Sequence, residues 1–155
     1  MKGEEVKHEE LVALEAVPLP LDLARVRLYP NGCGGKAGWF RRVVLTLSRG
    51  RAVALGNHVF LPPGCQGDPA VLAHELTHCG QYQAWGAWRY YTRGAVAQLR
   101  DLLHRTTGAG ASPYAYQQQS GKPFDAYGME QQAQMVEDRV RRARLPLTSG
   151  SAPVR

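Results

Sequence analysis

Apolar positions alternate with a period of two in the first part of the chain and follow a helical period after it. Arg25-Val26-Arg27-Leu28-Tyr29 alternates, and Val43-Val44-Leu45-Thr46-Leu47 is an apolar, β-branched run. Ala52-Val53-Ala54-Leu55 precedes Asn57-His58-Val59-Phe60-Leu61, with Gly56-Asn57 placed to turn the chain between them. Each run has the length and composition of a short strand. Pro18, Pro20 and Pro30 punctuate this region, so residues 1–17 are expected to form an arm ahead of the folded layers.

From Asp68 the spacing becomes helical. Asp68 is placed to cap, Pro69 falls at the first helical position, and Val71, Leu72, Leu76 and Cys79 supply the apolar run. Ala87 to His104 reads as a second helical stretch, with a break or kink expected near Gly94. Residues 105–124 contain Gly108, Gly110, Pro113, Gly121 and Pro123 and predict a long loop of the kind that often carries function. A third helix is expected from about Asp125 to Ala143, burying Met129, Ala133, Val136 and Val140. The Ser-, Gly- and Pro-containing tail, 145–155, predicts disorder. Together these elements predict an α+β fold over residues 18–144: a small N-terminal β-sheet, a motif-bearing helix and two further helices.

Composition narrows this further. The chain has 155 residues, 44% of them hydrophobic and 21% charged, which suits one globular domain with a single core. Its formal net charge of +6 describes a basic surface, and many arginines gather in Arg139–Arg144, at the dipole end of the third helix. No nucleic-acid-binding module accompanies them, so no nucleic-acid partner is expected. The opening residues are polar and acidic with no apolar core segment behind them, and no 18 apolar residues run together. A cytoplasmic protein with no membrane span is therefore expected. Cys33, Cys65 and Cys79 are too few for a disulfide framework; only Cys33 and Cys65, both in Gly-rich loops, are candidates to pair.

The chemistry concentrates in His74-Glu75-Leu76-Thr77-His78. Residues four apart share one helix face, so His74 and His78 can present two imidazole nitrogens to one tetrahedral metal ion, most naturally zinc, one per chain. Glu75 lies beside them, where its carboxylate can face the ion's open position and act as a general base instead of a ligand. A catalytic zinc needs a third protein ligand. Gln81 and Ala84 occupy the positions where a metzincin carries Gly and His, which excludes that class. Glu130 is the leading candidate: it lies on the third helix beside the buried stripe, with small Ala126 and Ala133 a turn away on either side. Glu137 and Asp138, near the arginines, fit surface pairing better, and His104 and Asp101 are weaker candidates. For the second donor to a tetrahedral oxyanion, Tyr127, three residues before Glu130, is preferred to His58.

Leu21–Tyr29, Ala54–Gly64 and Leu72–His78 followed by Gln81 resemble the metallopeptidase domain associated with extracellular contractile injection systems. Phe124-Asp125-Ala126-Tyr127-Gly128-Met129-Glu130-Gln131-Gln132-Ala133 is similar to bacterial Vgr-related proteins linked to type VI secretion. The resemblance implies that His74 and His78 ligate zinc, that Glu75 is the catalytic glutamate, and that Glu130 is the third ligand in a gluzincin-type Glu-x-x-Ala pattern. It also implies a protein or peptide substrate, secretion-system partners and export through such a machine. Cys79 and Gly80 depart from the family, whose residue after the second histidine is usually apolar, which bears on packing and redox behaviour rather than on ligation. Two functions follow from different classes. One is a minigluzincin-like peptidase; the other is a zinc-stabilised adaptor without turnover, docking through Trp85, Trp88, Tyr90 and Tyr91. Glu75 favours the enzyme, because a purely structural site has no use for it.

Overall fold

The computed structural model describes residues 13, 15–32, 34–108 and 114–144. Cys33, and with it any pairing to Cys65, lies outside the described residues, as does the tail 145–155; among the described residues Cys65 and Cys79 form no disulfide. In chain order the elements are β1 (Arg27–Tyr29), α1 (Gly35–Leu47), β2 (Val53–Leu55), β3 (His58–Phe60), α2 (Pro69–Thr107) and α3 (Met129–Arg144). Single 3-10 turns at Leu23–Arg25, Pro63–Cys65 and Phe124–Ala126 lead into β1, α2 and α3. Among the described residues a three-stranded sheet with three helices makes the fold α+β, as expected.

The sheet order is β1-β3-β2. β3 pairs parallel to β1, with Leu28 opposite Val59, and antiparallel to β2, with Ala54 opposite Val59. A two-residue turn at Gly56-Asn57 joins β2 to β3; Gly56 has φ +62°, and a Cβ there would meet the Tyr82 ring at 3.2 Å, so glycine serves both the turn and the approach of α2. Alternation along β3 sends its two apolar side chains to different cores. Val59 joins Ala54, Leu72, Leu76, Cys79, Val136 and Val140 under α2 and α3, whereas Phe60 packs with Val44 and Leu45 of α1 and stacks on Tyr29. Ala13 is fully buried in the first of these cores, and Ala16 and Val17 pack against it.

Two expectations are corrected. Val43–Leu47 is the end of α1 rather than a strand. Read together with Trp39 and Phe40 the same residues have helical spacing, and the packing of Val44 and Leu45 outweighs the β-branched preference. The break expected near Gly94 falls at Gly86, whose φ of +77° and ψ of 165° interrupt α2 in a region of backbone space open to glycine alone. Gly94 is regular helix, and a Cβ there would stand at an ordinary contact distance, 4.0 Å, from the Met129 Sδ of α3.

α2 starts as expected. The Asp68 side chain accepts from the Ala70 N–H at 2.9 Å, and Pro69 occupies the first turn, where no N–H is required. At the start of α3, Gln131 reaches back to accept from the Gly128 N–H at 3.0 Å, which satisfies an otherwise orphaned donor. All four residues of the expected α3 stripe are buried.

Candidate metal centre

α2 and α3 pack face to face, and the contact brings His74, His78 and Glu130 together. One ligand atom from each lies within 4.8 Å of the others. Glu130 Oε2 stands 3.5 Å from His78 Nε2 and 3.9 Å from His74 Nε2. Ligand atoms around a tetrahedral zinc are separated by about 3.3 Å, so a small inward movement of side chains would complete such a site.

The outer partners orient both imidazoles. His74 Nδ1 lies 2.9 Å from Glu137 Oε2, and His78 Nδ1 lies 2.8 Å from Gln81 Oε1. The Gln81 amide nitrogen donates to Met129 O and Gln132 Oε1, which fixes its oxygen as the atom facing His78. Carboxylate and amide oxygens only accept, so each Nδ1 carries the proton and each Nε2 is left to face Glu130. Two lone pairs aimed at a carboxylate call for a cation between them. Without a metal, a proton fills that role: burial disfavours a charged His78, but the Glu130 carboxylate outweighs it and raises the imidazole to about 9. Burial likewise opposes ionisation of Glu130, and the histidines overcome it to lower its pKa. Glu137 is lowered in the same sense, against burial, by His74 and Arg141.

Glu75 is 5% exposed, and its Oε2 is the one buried side-chain polar atom without a hydrogen-bond partner among the described residues. Burial raises its pKa, while the two histidines pull the other way. An orphaned carboxylate beside two imidazoles and a second carboxylate fits a centre that takes a metal ion and water. The donor set, two imidazoles and one carboxylate, suits such an ion and leaves a position open.

Residues 41–86 match the family described as the eCIS core domain. That match links the chain to extracellular contractile injection systems. It runs from α1 through the β2–β3 hairpin and along α2 to its break at Gly86, so it contains His74, Glu75 and His78 and stops short of Glu130. Searches of curated proteins and of solved structures gave no match. No helix among the described residues is long and apolar enough to cross a membrane.

The metal-centre residues floor a cleft of about 700 Å³, walled by β2, the turn before it and the part of α2 beyond Gly86. Tyr127 does not line this cleft; it is buried, and its hydroxyl accepts from the Gln119 N–H at 3.0 Å. The tyrosines that do line it are Tyr90, Tyr91 and Tyr114. Tyr90 donates to Ala54 O at 2.9 Å, and burial pushes Tyr114 up to about 12, so it keeps its proton as a donor. His58 lies on β3 against the Tyr29 hydroxyl, and Asp138 takes the Tyr116 hydroxyl and the Gln134 amide. Asp101 pairs with Arg105.

Sequence reasoning missed Glu137 and Gln81 as supports for the histidines. A signal for the first existed: Glu137 follows Glu130 by seven residues, two turns along the same helix face. Cys79 is fully buried, and burial raises its thiol to about 12, so it packs as a small apolar residue.

Proposed function

We infer that the protein is a zinc-dependent metallopeptidase of a contractile injection system, with His74, His78 and Glu130 as ligands and Glu75 as general base. The unpartnered Glu75 oxygen carries this reading. A site that used metal only to tie α2 to α3 would gain nothing from burying a second carboxylate there, and an unsatisfied buried polar group costs about 1–3 kcal/mol. The similarity of Phe124–Ala133 to Vgr-related proteins favours a contractile machine of the type VI secretion kind.

A zinc ion held by these residues supplies Lewis acidity to a scissile carbonyl and to water. Glu75, its affinity for protons raised by burial, accepts the proton of the attacking water and delivers it to the departing amine. Glu137 and Gln81 hold the imidazoles in the tautomer that ligation needs. A donor to the developing oxyanion is expected from the cleft lining rather than from the buried Tyr127.

Glu75→Gln tests the assignment. Metal content, read by mass spectrometry, is expected to stay at about one zinc per chain, while hydrolysis of an unstructured protein substrate falls at least about a hundredfold. The adaptor reading draws on the exposure of Trp88 (82%) and Leu99 (57%) on the far half of α2. Parent protein that binds zinc and cleaves nothing would decide for it.

A further inference from the structure

The cleft is uneven in charge. Its floor holds Glu75 and Glu130, while its outer wall holds Arg49 and Arg51 from the turn between α1 and β2, with Arg105 on α2. The one further carboxylate lining it, Asp101, is bridged to Arg105 at 2.7 Å. Arg49 and Arg51 make no ion pair among the described residues. Leu47, Leu55 and Leu102 line the same cleft.

The turn that carries these arginines is held on all sides. The Arg49 N–H donates to Thr46 O at 3.1 Å, the Gly50 N–H donates to Leu45 O at 2.7 Å, and Ser48 Oγ donates to Arg51 O at 2.9 Å. Arg49 has φ +56°, the one positive φ at a non-glycine residue among those described. A long L side chain in that conformation is strained, and glycine, which fills the next position, would satisfy the turn without strain. An arginine there costs the turn strain that glycine would avoid.

We propose that this wall selects the substrate: a peptide segment with Asp or Glu side chains on the side of the scissile bond that lies over the Arg49–Gly50–Arg51 turn. The proposal rests on the peptidase reading for its placement of the scissile bond. Guanidinium forks pair with carboxylates through two parallel hydrogen bonds, and a cleft that excludes part of the water strengthens the attraction over its value at an open surface. A lysine-rich segment in the same place is repelled.

The test uses zinc-loaded Glu75→Gln protein and dansyl-labelled peptides blocked at both ends, identical except for two Glu, two Gln or two Lys beside an Ala-Leu centre. Binding is read by fluorescence anisotropy. The Glu peptide is expected to bind at least about tenfold more tightly than the Lys peptide at low salt, with the difference shrinking severalfold at about 0.5 M salt. Combined Arg49→Glu and Arg51→Glu should reverse the order. Arg49→Gly, which suits the positive φ and leaves the turn intact, should reduce the preference without lowering the melting temperature. Equal affinities, absence of binding by the Glu peptide, or a preference that survives the double reversal would overturn the proposal. So would a gain from freeing the peptide's C-terminal carboxylate with none from its Glu side chains. Hydrolysis by the parent protein is scored separately: cleavage without charge preference sinks the selectivity alone, and Glu-selective binding without cleavage sinks the peptidase reading alone.

Discussion

Glu130→Gln in metal-free protein isolates what Glu130 does before any ion arrives. In the folded chain His78 is raised from its ordinary 6.5 to about 9, burial opposing the charge and Glu130 overcoming it. A histidine whose folded pKa lies above its unfolded one contributes stability that is fully present below 6.5 and is lost as pH rises through about 9. At pH 7 that contribution is about 2–3 kcal/mol. For a chain of this size it corresponds to about 5–10 °C in melting temperature. Gln at position 130 keeps the shape and removes the charge, so burial acts on His78 against only Glu75 and Gln81 and most of the contribution disappears. Calorimetric melts in chelator should therefore show the parent several degrees above the variant at pH 7, with the gap closing by pH 10. With zinc the gap should reopen at both pH values, because the variant loses an anionic ligand and with it the stabilisation that comes from metal binding the folded state alone. Parallel pH profiles for the two metal-free proteins would refute the coupling between His78 and Glu130.

Two further changes test the surroundings. Glu137→Ala should weaken zinc binding by about 10–100-fold in a competition titration, since it frees the His74 ring that the carboxylate orients at 2.9 Å; unchanged affinity would remove Glu137 from the centre. Gly86→Ala meets no atom within 4 Å of its new Cβ, so its cost is that of the backbone conformation, about 1–3 kcal/mol, read as a lower denaturant midpoint with the same slope.

The parts of the fold that the sequence revealed are those fixed by local chemistry. Asp68-Pro69 starts α2 because a carboxylate cap and a residue without an N–H suit a first turn whatever surrounds them. The β2–β3 hairpin and the buried stripe of α3 follow from a turn glycine and from periodicity. Val43–Leu47 was illegible for the opposite reason. A five-residue apolar run fits a strand and a helix end equally, and the choice is made by Phe60 and Tyr29, which pack against it from strands elsewhere in the chain. The position of the break in α2 was ambiguous as well: Gly86 and Gly94 are alike as residues, and only the backbone conformation that the fold imposes, positive φ at Gly86 and helical at Gly94, distinguishes them.

At the metal centre the helical spacing of His74, Glu75 and His78 made the motif visible, and the buried margin of α3 pointed to Glu130. What spacing cannot convey is the order of contacts behind the ligands. His74 leans on Glu137, Glu137 is bound by Arg141 at 2.8 Å, and Arg141 reaches Asp68 at 3.4 Å, the residue that caps the helix carrying His74. The arginines that read as dipole partners at the end of α3 thus include one that ties the start of α2 to the support of its own histidine. The exposed Arg141 pairs are individually weak. The rotation of α3 against α2 is set by the buried packing of Val136 and Val140 with Leu72, Leu76 and Cys79, and that rotation decides whether Glu130 faces two imidazoles or solvent. The candidate centre is therefore a property of the α2–α3 packing as a whole, which is why its residues are separated by more than fifty positions and why a match that ends at Gly86 contains the motif without Glu130.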